Sequence, residues 1–427
     1  KGEKVLDFGQ NLTGYPAISL PDAKAGEKIS LSFAEILDKD GNFYNENYRS
    51  AKCQYVYTCR DGAQSYKPHL TFYGFRYLRV DEFPASVPFS PDYFTAIAVY
   101  SDIKKTGELI SSDKDLNHLF SNIFWGQRCN FLDVPTDCPQ RDERLGWSGD
   151  AQVFVKTATY NFDTERFYKK WMSDIAAEID MHGKIGMIVP NVFGASVSAE
   201  AWSDAAVIVP WQVYLTYGDK ALLERQLASM TTLVETIIRE GYNHHFGDWL
   251  GLDAPAGSYT GSTRPELIAE AFLAYDFEIL AKAYEALGRD GSRYRVLHEE
   301  TKNKFRTDFS DEYRTQTEHV LALHFGLAED SVKTAKSLAD LVCASGNHLT
   351  TGFVGTPYLL HALSDNGYAE LAYTLLLQKS YPSWLFSVSL GATTMWEHWD
   401  GINDKGEVWS KDMNSFNHYA YGAVGDW

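Results

Sequence analysis

No window of the 427-residue chain approaches eighteen consecutive apolar residues, so nothing in it reads as a membrane span. Basic residues are in deficit: 39 Lys and Arg stand against 57 Asp and Glu, a formal charge of −18. That balance argues against nucleic acid and anionic membranes as partners, whose phosphates need basic surfaces. It is neutral toward uncharged substrates such as sugars. Cysteine is sparse and odd in number: Cys53, Cys59, Cys129, Cys138 and Cys343 do not have the pattern of a disulfide framework. If CQYVYTC is a strand, Cys53 and Cys59 stand roughly 20 Å apart. They cannot then pair, because bridged Cα atoms sit about 4.4–6.8 Å apart. No GxSxG elbow, Walker loop or GxGxxG turn stands at a strand–helix junction. His244 and His245 are adjacent and so cannot share a helical face as metal ligands. Cys138 lies among acids that raise its pKa, which disfavours a thiol nucleophile. The chain opens at KGEKVLDFG without an initiator Met or signal peptide and closes at GAVGDW without a cap. Both ends read as cut from something longer.

What is present points to a large core and a polar ring-lined site. The chain is 44% apolar, ample for two or three domains. Aromatics make up 14%, with 11 Trp and 26 Tyr. Many must pack the core, but sugar sites use the same residues, because an aromatic face covers the C–H face of a pyranose. Residues 1–101 carry period-two signals: KISLSFAEIL sets Ile29, Leu31 and Phe33 on one face, and CQYVYTC, FRYLRVDEF and YFTAIAVY follow between turns. An antiparallel β-sandwich, jelly-roll-like, is expected there. DKDGN starts like a calcium loop, with Asp38, Asp40 and Asn42, but Phe43 and Arg49 stand where Gly and Glu are needed. A solvated hairpin turn accounts for it better.

From residue 102 to 427 the period is helical, with about ten to twelve amphipathic runs of ordinary length. The first, SSDKDLNHLFSNIFWG, stripes Leu116, Leu119, Phe120 and Ile123 on one face. Helices in such number, many apolar on two sides, suit a double layer of inner and outer helices closed as a six-hairpin toroid. The fold class expected is mainly α, an (α/α)6 barrel preceded by the sandwich. Between the helices run long aromatic loops, CPQRDERLGWSGD, PNVFGASVSAEAWSDA, FGDWLGLDAP, GATTMWEHWDGIND and MNSFNHYAYGAVGDW. Long loops in a compact helical domain are where sites lie.

Within PTDCPQRDERLGWSGDA, Asp137, Asp142, Glu143 and Asp150 place four carboxyls in fourteen positions, with Arg141 and Arg144 among them. Crowded like charges raise at least one carboxyl pKa, and burial raises it further. A carboxylic acid held protonated near neutral pH is what general acid catalysis needs. The plain alternative is a structural salt-bridge cluster at a helix entrance, with Asp150 as N-cap. In TTMWEHWDG, Glu397 sits between Trp396 and Trp399. That is a surface residue, or the second member of a glycosidase carboxyl pair about 250 residues from the first.

DCPQRDERLGWSGDAQ resembles the signature of the bacterial α-L-rhamnosidases, inverting enzymes of glycoside hydrolase family 78. LDFGQNLTGY, AEILDKDGNFYNENYRSA and TFYGFRYLRV resemble the sandwich domain that precedes the family's barrel. WSDAAVIVPW, GDWL, GATTMWEHWD and NSFNHYAYGAVGDW resemble its pocket loops in order, so the likeness spans nearly the whole chain. It implies an (α/α)6-barrel glycosidase hydrolysing terminal α-L-rhamnosyl residues, with Glu143 as general acid and Glu397 as general base. It further implies Asp137, Arg141 and Asp150 on the sugar hydroxyls, Trp147, Trp202 and Trp249 as aromatic walls, and His418 in the pocket, and Trp396 beside Glu397 is expected among the substrate-binding residues. Asp204 in WSDAA is either a pocket residue or a helix N-cap. The resemblance calls for no cofactor and no metal, and for a rhamnose-containing glycoside or polysaccharide as substrate, with neither nucleic acid nor membrane as a partner. Localisation narrows only to bacterial cytoplasm or periplasm.

Family members carry further β-domains, so the resemblance leads to the expectation that the C-terminal one is missing after GDW and that an unclosed last barrel helix exposes apolar surface beside the His418 loop. Two other readings compete. A barrel lyase needs a Tyr, His or Arg base and a basic pocket, which the acid-rich motif opposes. A non-catalytic glycan-binding relative is favoured by loss of Glu143 or Glu397, and both are present.

Overall fold

Alternating residues of the first hundred positions form strands, and the helical periods beyond them form helices, in a computed structural model that describes residues 2–194, 196–310 and 312–427. Lys1, the first residue of the expected sandwich, lies outside the described residues, as does Ala195 in the PNVFGASVSAEAWSDA loop. The contacts divide the chain into two compact units that interleave in sequence. The first comprises Lys1–Asp102, Asp113–Leu145 and Ser387–Tyr419; the second comprises Ile103–Ser112, Gly146–Phe386 and Ala420–Trp427.

The first unit is built on an antiparallel sheet of β1 (Lys4–Leu20), β2 (Lys28–Ala34), β5 (Gln54–Thr58), β6 (Gln64–Tyr66), β7 (Tyr73–Glu82) and β8 (Phe94–Ala98), in the order β5-β2-β7-β1-β6 with β8 also on β1. The long β1 pairs with β7 in its first part and with β8 and β6 in its last. The turnover falls at Gly14, where a Cβ would lie 1.9 Å from the Ile97 carbonyl oxygen, so only glycine lets the two backbones meet. Ile29, Leu31 and Phe33 are fully buried, as the alternation predicts. Ser30 and Ser32 on the opposite face are buried too, with Gln54 donating to Ser30 and Ser32 donating to Asp81. Tertiary cover therefore lies on both faces of β2. A short hairpin, β3 (Ile36–Leu37) and β4 (Phe43–Tyr44), carries DKDGN at its tip, where Asp38 accepts from the backbone of Asp40 and Asn42. The stretch is a turn, with its first carboxylate spent on its own backbone.

The helix α1 (Lys114–Asn130) starts where Asp113 accepts from the amides of Asp115 and Leu116. Leu119 and Ile123 of its predicted stripe are buried, with Leu116 and Phe120 partly so. Its buried side holds the loop 390–418: Asn122 donates to the Ala392 carbonyl, and Gly126 lies against Met395 and His418. A hairpin of β9 (Phe131–Leu132) and β10 (Val134–Pro135) then delivers the chain into the acidic motif.

In the second unit, α2 (Ser148–Asn161), α4 (Ala205–Tyr217), α6 (Pro265–Ala286), α8 (Gln316–His324) and α10 (Thr356–Asp365) pack in succession, and the turn Ala420–Asp426 packs between α10 and α2. That closes an inner ring of six elements. Outside it, α3 (Glu165–His182), α5 (Lys220–Glu240), α7 (Ser292–Phe309), α9 (Ser331–Ala344) and α11 (Ala369–Leu376) pack on their inner neighbours. The inner helix α4 opens AAVIVP with all six residues buried, whereas the outer α7 buries only Tyr294, Phe305 and Phe309. Full and half burial of this kind sorts helices into layers. The open final helix expected from the sequence is not found. Ala420 to Val424 are buried, and Thr157 and Trp384 donate to the carbonyls of Ala423 and Tyr421. Among the described residues no helix is long and apolar enough to cross a membrane. All five cysteines are free.

Candidate active site

The two prolines of PTDCPQRDERL, Pro135 and Pro139, oppose a helix, and the segment folds back on itself instead. Asp137 donates its amide to the Leu145 carbonyl and accepts the Leu145 amide at 2.8 Å through Oδ1. Arg144 takes a positive φ of 58° and lays its guanidinium 4.4 Å over the Phe72 ring. Inside the loop lies Arg141, its side chain only 1% exposed. Its Nη1 and Nη2 donate to Glu397 Oε2 and Oε1 at 2.7 and 3.0 Å, and its Nε donates to Glu143 Oε2 at 2.8 Å. Asp137 Oδ2 is 3.6 Å from Nη2, within ion-pair range but beyond hydrogen-bond length. One buried guanidinium therefore gathers three carboxyls from two distant stretches of chain.

Burial alone would raise the Glu397 carboxyl, but the Arg141 charge and its forked hydrogen bonds outweigh it, with help from His418, and hold it at about 2. Asp137 goes the other way. Its burial, then the like charge of Glu143, push it up to about 7 against the pull of Arg141. The acid that crowding raises within the motif is thus Asp137. Glu143 is the more open carboxylate, and it is shared by two arginines: Arg49 Nη2 donates to its Oε2 at 3.1 Å. Asp142 does not join Arg141. It accepts from Arg49 Nε at 2.6 Å and from the Ser50 hydroxyl, on an exposed edge. His418 is buried beside Tyr419, with its backbone amide on the Met395 carbonyl. Trp396 is turned into a small core with Ala392 and Phe416, its ring 5.1 Å from Phe416 edge to face. It flanks Glu397 in sequence and supports its loop, with Phe416, Ile36, Ile402 and Val408 around it.

The boundary between the compact units falls within the motif, between Leu145 and Gly146. In the second unit Trp147, and not Asp150, is the residue at the N-cap of α2, and its side chain makes no cap bond. Asp150 sits buried in the first turn, where a carboxylate is favoured by the helix dipole. At the start of α2, Trp147 joins an aromatic cluster centred on Phe246, whose ring lies 4.4 Å from Trp202, 5.6 Å from Trp249 and 6.0 Å from Trp147. The Trp202 indole N–H is buried with no protein acceptor among the described residues. Asp204 stands at the start of α4, but its carboxylate turns back to the Ala201 amide at 2.6 Å and the Tyr242 hydroxyl at 2.7 Å. It is a buried structural acid.

Gly149 explains itself in this cluster. A Cβ there would come within 2.5 Å of the Trp202 ring. Gly149→Ala is expected to displace Trp202 and destabilise the chain by about 1–3 kcal/mol, the range for overpacking. Denaturant unfolding followed by tryptophan fluorescence measures it; an unchanged midpoint and emission spectrum would show that the ring moves freely.

Asp137, Cys138 and Glu143 offer ligand atoms within 4.8 Å of one another, the one such group among the described residues. Burial pushes the Cys138 thiol far up, with Asp137 and Glu143 adding to the effect against Arg141, so it is not a ready thiolate. The charge of the two acids is already met by Arg141. The arrangement suits acid–base chemistry on a hydroxylated ligand better than metal binding. Three residues escaped the reading of the sequence: Arg49, Phe246 and Glu35, the last a buried acid at the end of β2. Arg49 and Glu35 lie in AEILDKDGNFYNENYRSA, whose pattern signals strand, turn and sandwich domain but no site residue.

A family model described as the bacterial alpha-L-rhamnosidase 6 hairpin glycosidase domain matches residues 104–427, and one described as the bacterial alpha-L-rhamnosidase concanavalin-like domain matches residues 1–100. Alpha-L-rhamnosidases of Formosa agariphila and Streptomyces avermitilis are each 38% identical over 439 residues, covering 99% and 100% of this chain and 47% and 42% of their own lengths. The crystal structure of the Streptomyces avermitilis alpha-L-rhamnosidase complexed with L-rhamnose superimposes with a TM-score of 0.94 at 38% identity, over 100% of this chain and 42% of that one. The native enzyme of Aspergillus terreus gives 0.96 at 36% identity, over 100% and 52%. The chain spans about half the length of the curated relatives it matches. With both family models together covering nearly every residue, the chain belongs to the bacterial alpha-L-rhamnosidase family.

Proposed function

We propose that the protein hydrolyses terminal α-L-rhamnosyl residues from glycosides or polysaccharides with inversion of configuration. The observation that carries this reading is the Arg141 clamp, which gathers Glu143 and Glu397 into one buried cluster. Asp137 and Glu143, like charges side by side, hold a proton between them, and Glu143 is the member that gives it to the glycosidic oxygen as the C1–O bond breaks. Glu397 takes a proton from the water whose oxygen bonds to C1 on the opposite face. Held at about 2, Glu397 is ionised throughout the working range. The cost is low basicity, which an oxocarbenium-like transition state tolerates because leaving-group departure runs ahead of water attack.

Asp137, Arg141 and His418 take the sugar hydroxyls in this reading. Trp147, Asp150, Trp202 and Trp249 keep the sugar-binding roles that family resemblance gives them, and Trp396 backs the base loop. The Trp202 indole, a buried donor without a protein acceptor among the described residues, supports a hydroxyl partner there. The rhamnose methyl has no hydroxyl to satisfy and suits aromatic walls. Residues 1–101 are read as the accessory sandwich and 102–427 as the catalytic barrel, supported by the extents of the two family matches. The contact units cut differently because α1 and the loop 387–419 pack with the sheet.

Incubation with p-nitrophenyl α-L-rhamnopyranoside is expected to release nitrophenol, with β-L-rhamnose as the first anomer seen by proton NMR. The α anomer first would overturn inversion. A folded chain inert to α-L-rhamnosides would overturn the substrate.

A further inference from the structure

Glu35 follows β2 directly and is 2% exposed. Every hydrogen-bond partner it has is a donor. Its Oε1 accepts from Asn11 Nδ2 at 3.1 Å, and its Oε2 accepts from Asn47 Nδ2 at 2.9 Å and from the Phe416 amide at 3.1 Å. The two asparagines also reach the loop themselves, Asn11 donating to the Phe416 carbonyl and Asn47 to the Asn414 carbonyl, both at 3.3 Å. Residues 414–416 are thus stitched to an acid some 380 positions earlier.

That loop in turn holds the base. The Ser415 carbonyl accepts the Glu397 amide at 2.9 Å, and the Ser415 hydroxyl donates to Gln140 Oε1, next to Arg141. Three residues on, the His418 amide closes on the Met395 carbonyl at 2.8 Å. Beside Glu35 opens a cavity of about 230 Å³ that reaches Trp396 and Arg76. Arg76 there is engaged by Asp7 and the Gly391 carbonyl, and Thr393 by the Asn11 amide, so the cavity walls spend their main polar groups on each other. A ligand site is not what this acid serves.

We infer that Glu35 is a positioning residue for the hydrolytic base, fixing through Phe416 and the two asparagines the loop that carries the Glu397 backbone and His418. This rests on the reading of Glu397 as the base. The warrant is that a buried carboxylate surrounded only by donors has no substitute of the same shape. In a glutamine one oxygen becomes an NH2 group that faces donors and repels them.

The test is Glu35→Gln, with Asn47→Ala as a milder variant that removes one stitch. Each is assayed on p-nitrophenyl α-L-rhamnopyranoside and by hydrogen exchange of peptides covering 393–418. Glu35→Gln is expected to lower kcat about 10- to 100-fold with KM changed less than about threefold, and to speed exchange at Phe416 and Glu397. Asn47→Ala should show the same pattern at smaller size. Variants that lose thermal stability but keep the parent kcat and exchange would make Glu35 merely structural and overturn the positioning role. An active parent with an unmoved loop in both variants overturns it alone. A parent that never cleaves the rhamnoside, with the loop freed as expected, overturns the base reading and the positioning role with it.

Discussion

Glu397→Gln and Glu143→Gln are each expected to lower kcat on p-nitrophenyl α-L-rhamnopyranoside by about 10²–10⁴-fold, the usual worth of a positioned acid or base. Two further readouts separate the roles. Nitrophenol leaves readily without a proton, so the Glu143 variant should lose less on the nitrophenyl glycoside than on an alkyl or sugar rhamnoside. Azide needs no base to activate it, so it should restore turnover to the Glu397 variant and leave the Glu143 variant unchanged. The reverse pattern would exchange the two assignments. Full activity in either variant would remove that residue from the chemistry.

Arg141→Met should be as damaging to the fold as those substitutions are to turnover. The side chain is 1% exposed and its main partner, Glu397, is 3% exposed. Removing the guanidinium leaves a buried carboxylate without a counter-charge, which costs about 3–5 kcal/mol in comparable buried pairs. The pH dependence fixes the sign. The Glu397 carboxyl is depressed to about 2 from an ordinary 4.5, so the pair contributes stability above pH 4.5 that is lost as pH falls toward 2. In the variant burial opposes what is left from His418, and most of that contribution is lost. The gap in unfolding free energy between parent and variant is therefore expected to narrow from pH 6 to pH 3. Asp137, raised to about 7, acts oppositely: its contribution is present below 3.8 and lost as pH rises through 7. Urea titrations at both pH values test the pair. A gap independent of pH would mean that Arg141 stabilises through packing alone. The double variant Arg141→Met, Glu397→Gln should recover part of the loss, because the buried carboxylate at position 397 is then gone as well.

The acidic motif itself was legible because its carboxyls, prolines and glycines sit within sixteen positions, and prolines with glycines exclude a helix on local sterics alone. The layers of the barrel were legible too, since α4 is apolar all round and α7 is not. Spacing could not say which of four neighbouring acids would be raised, because that depends on where Arg141 points. It points at Glu397, about 250 residues away, and so Glu397 is lowered while Asp137 is raised. Asp142 and Glu143 are adjacent in sequence, yet Asp142 faces the exposed edge with Ser50 while Glu143 bridges Arg49 and Arg141. Glu35 was hidden for a related reason: in the sequence it is a strand-end acid, and its role exists only through partners at Asn11, Asn47 and Phe416. Local sterics and hydrophobic period act between near neighbours, so the chain alone determined its elements, its layers and its candidate acids. Electrostatic pairing and desolvation act through space, so only the tertiary structure decided which acid is ionised, which is raised and what holds the base in place.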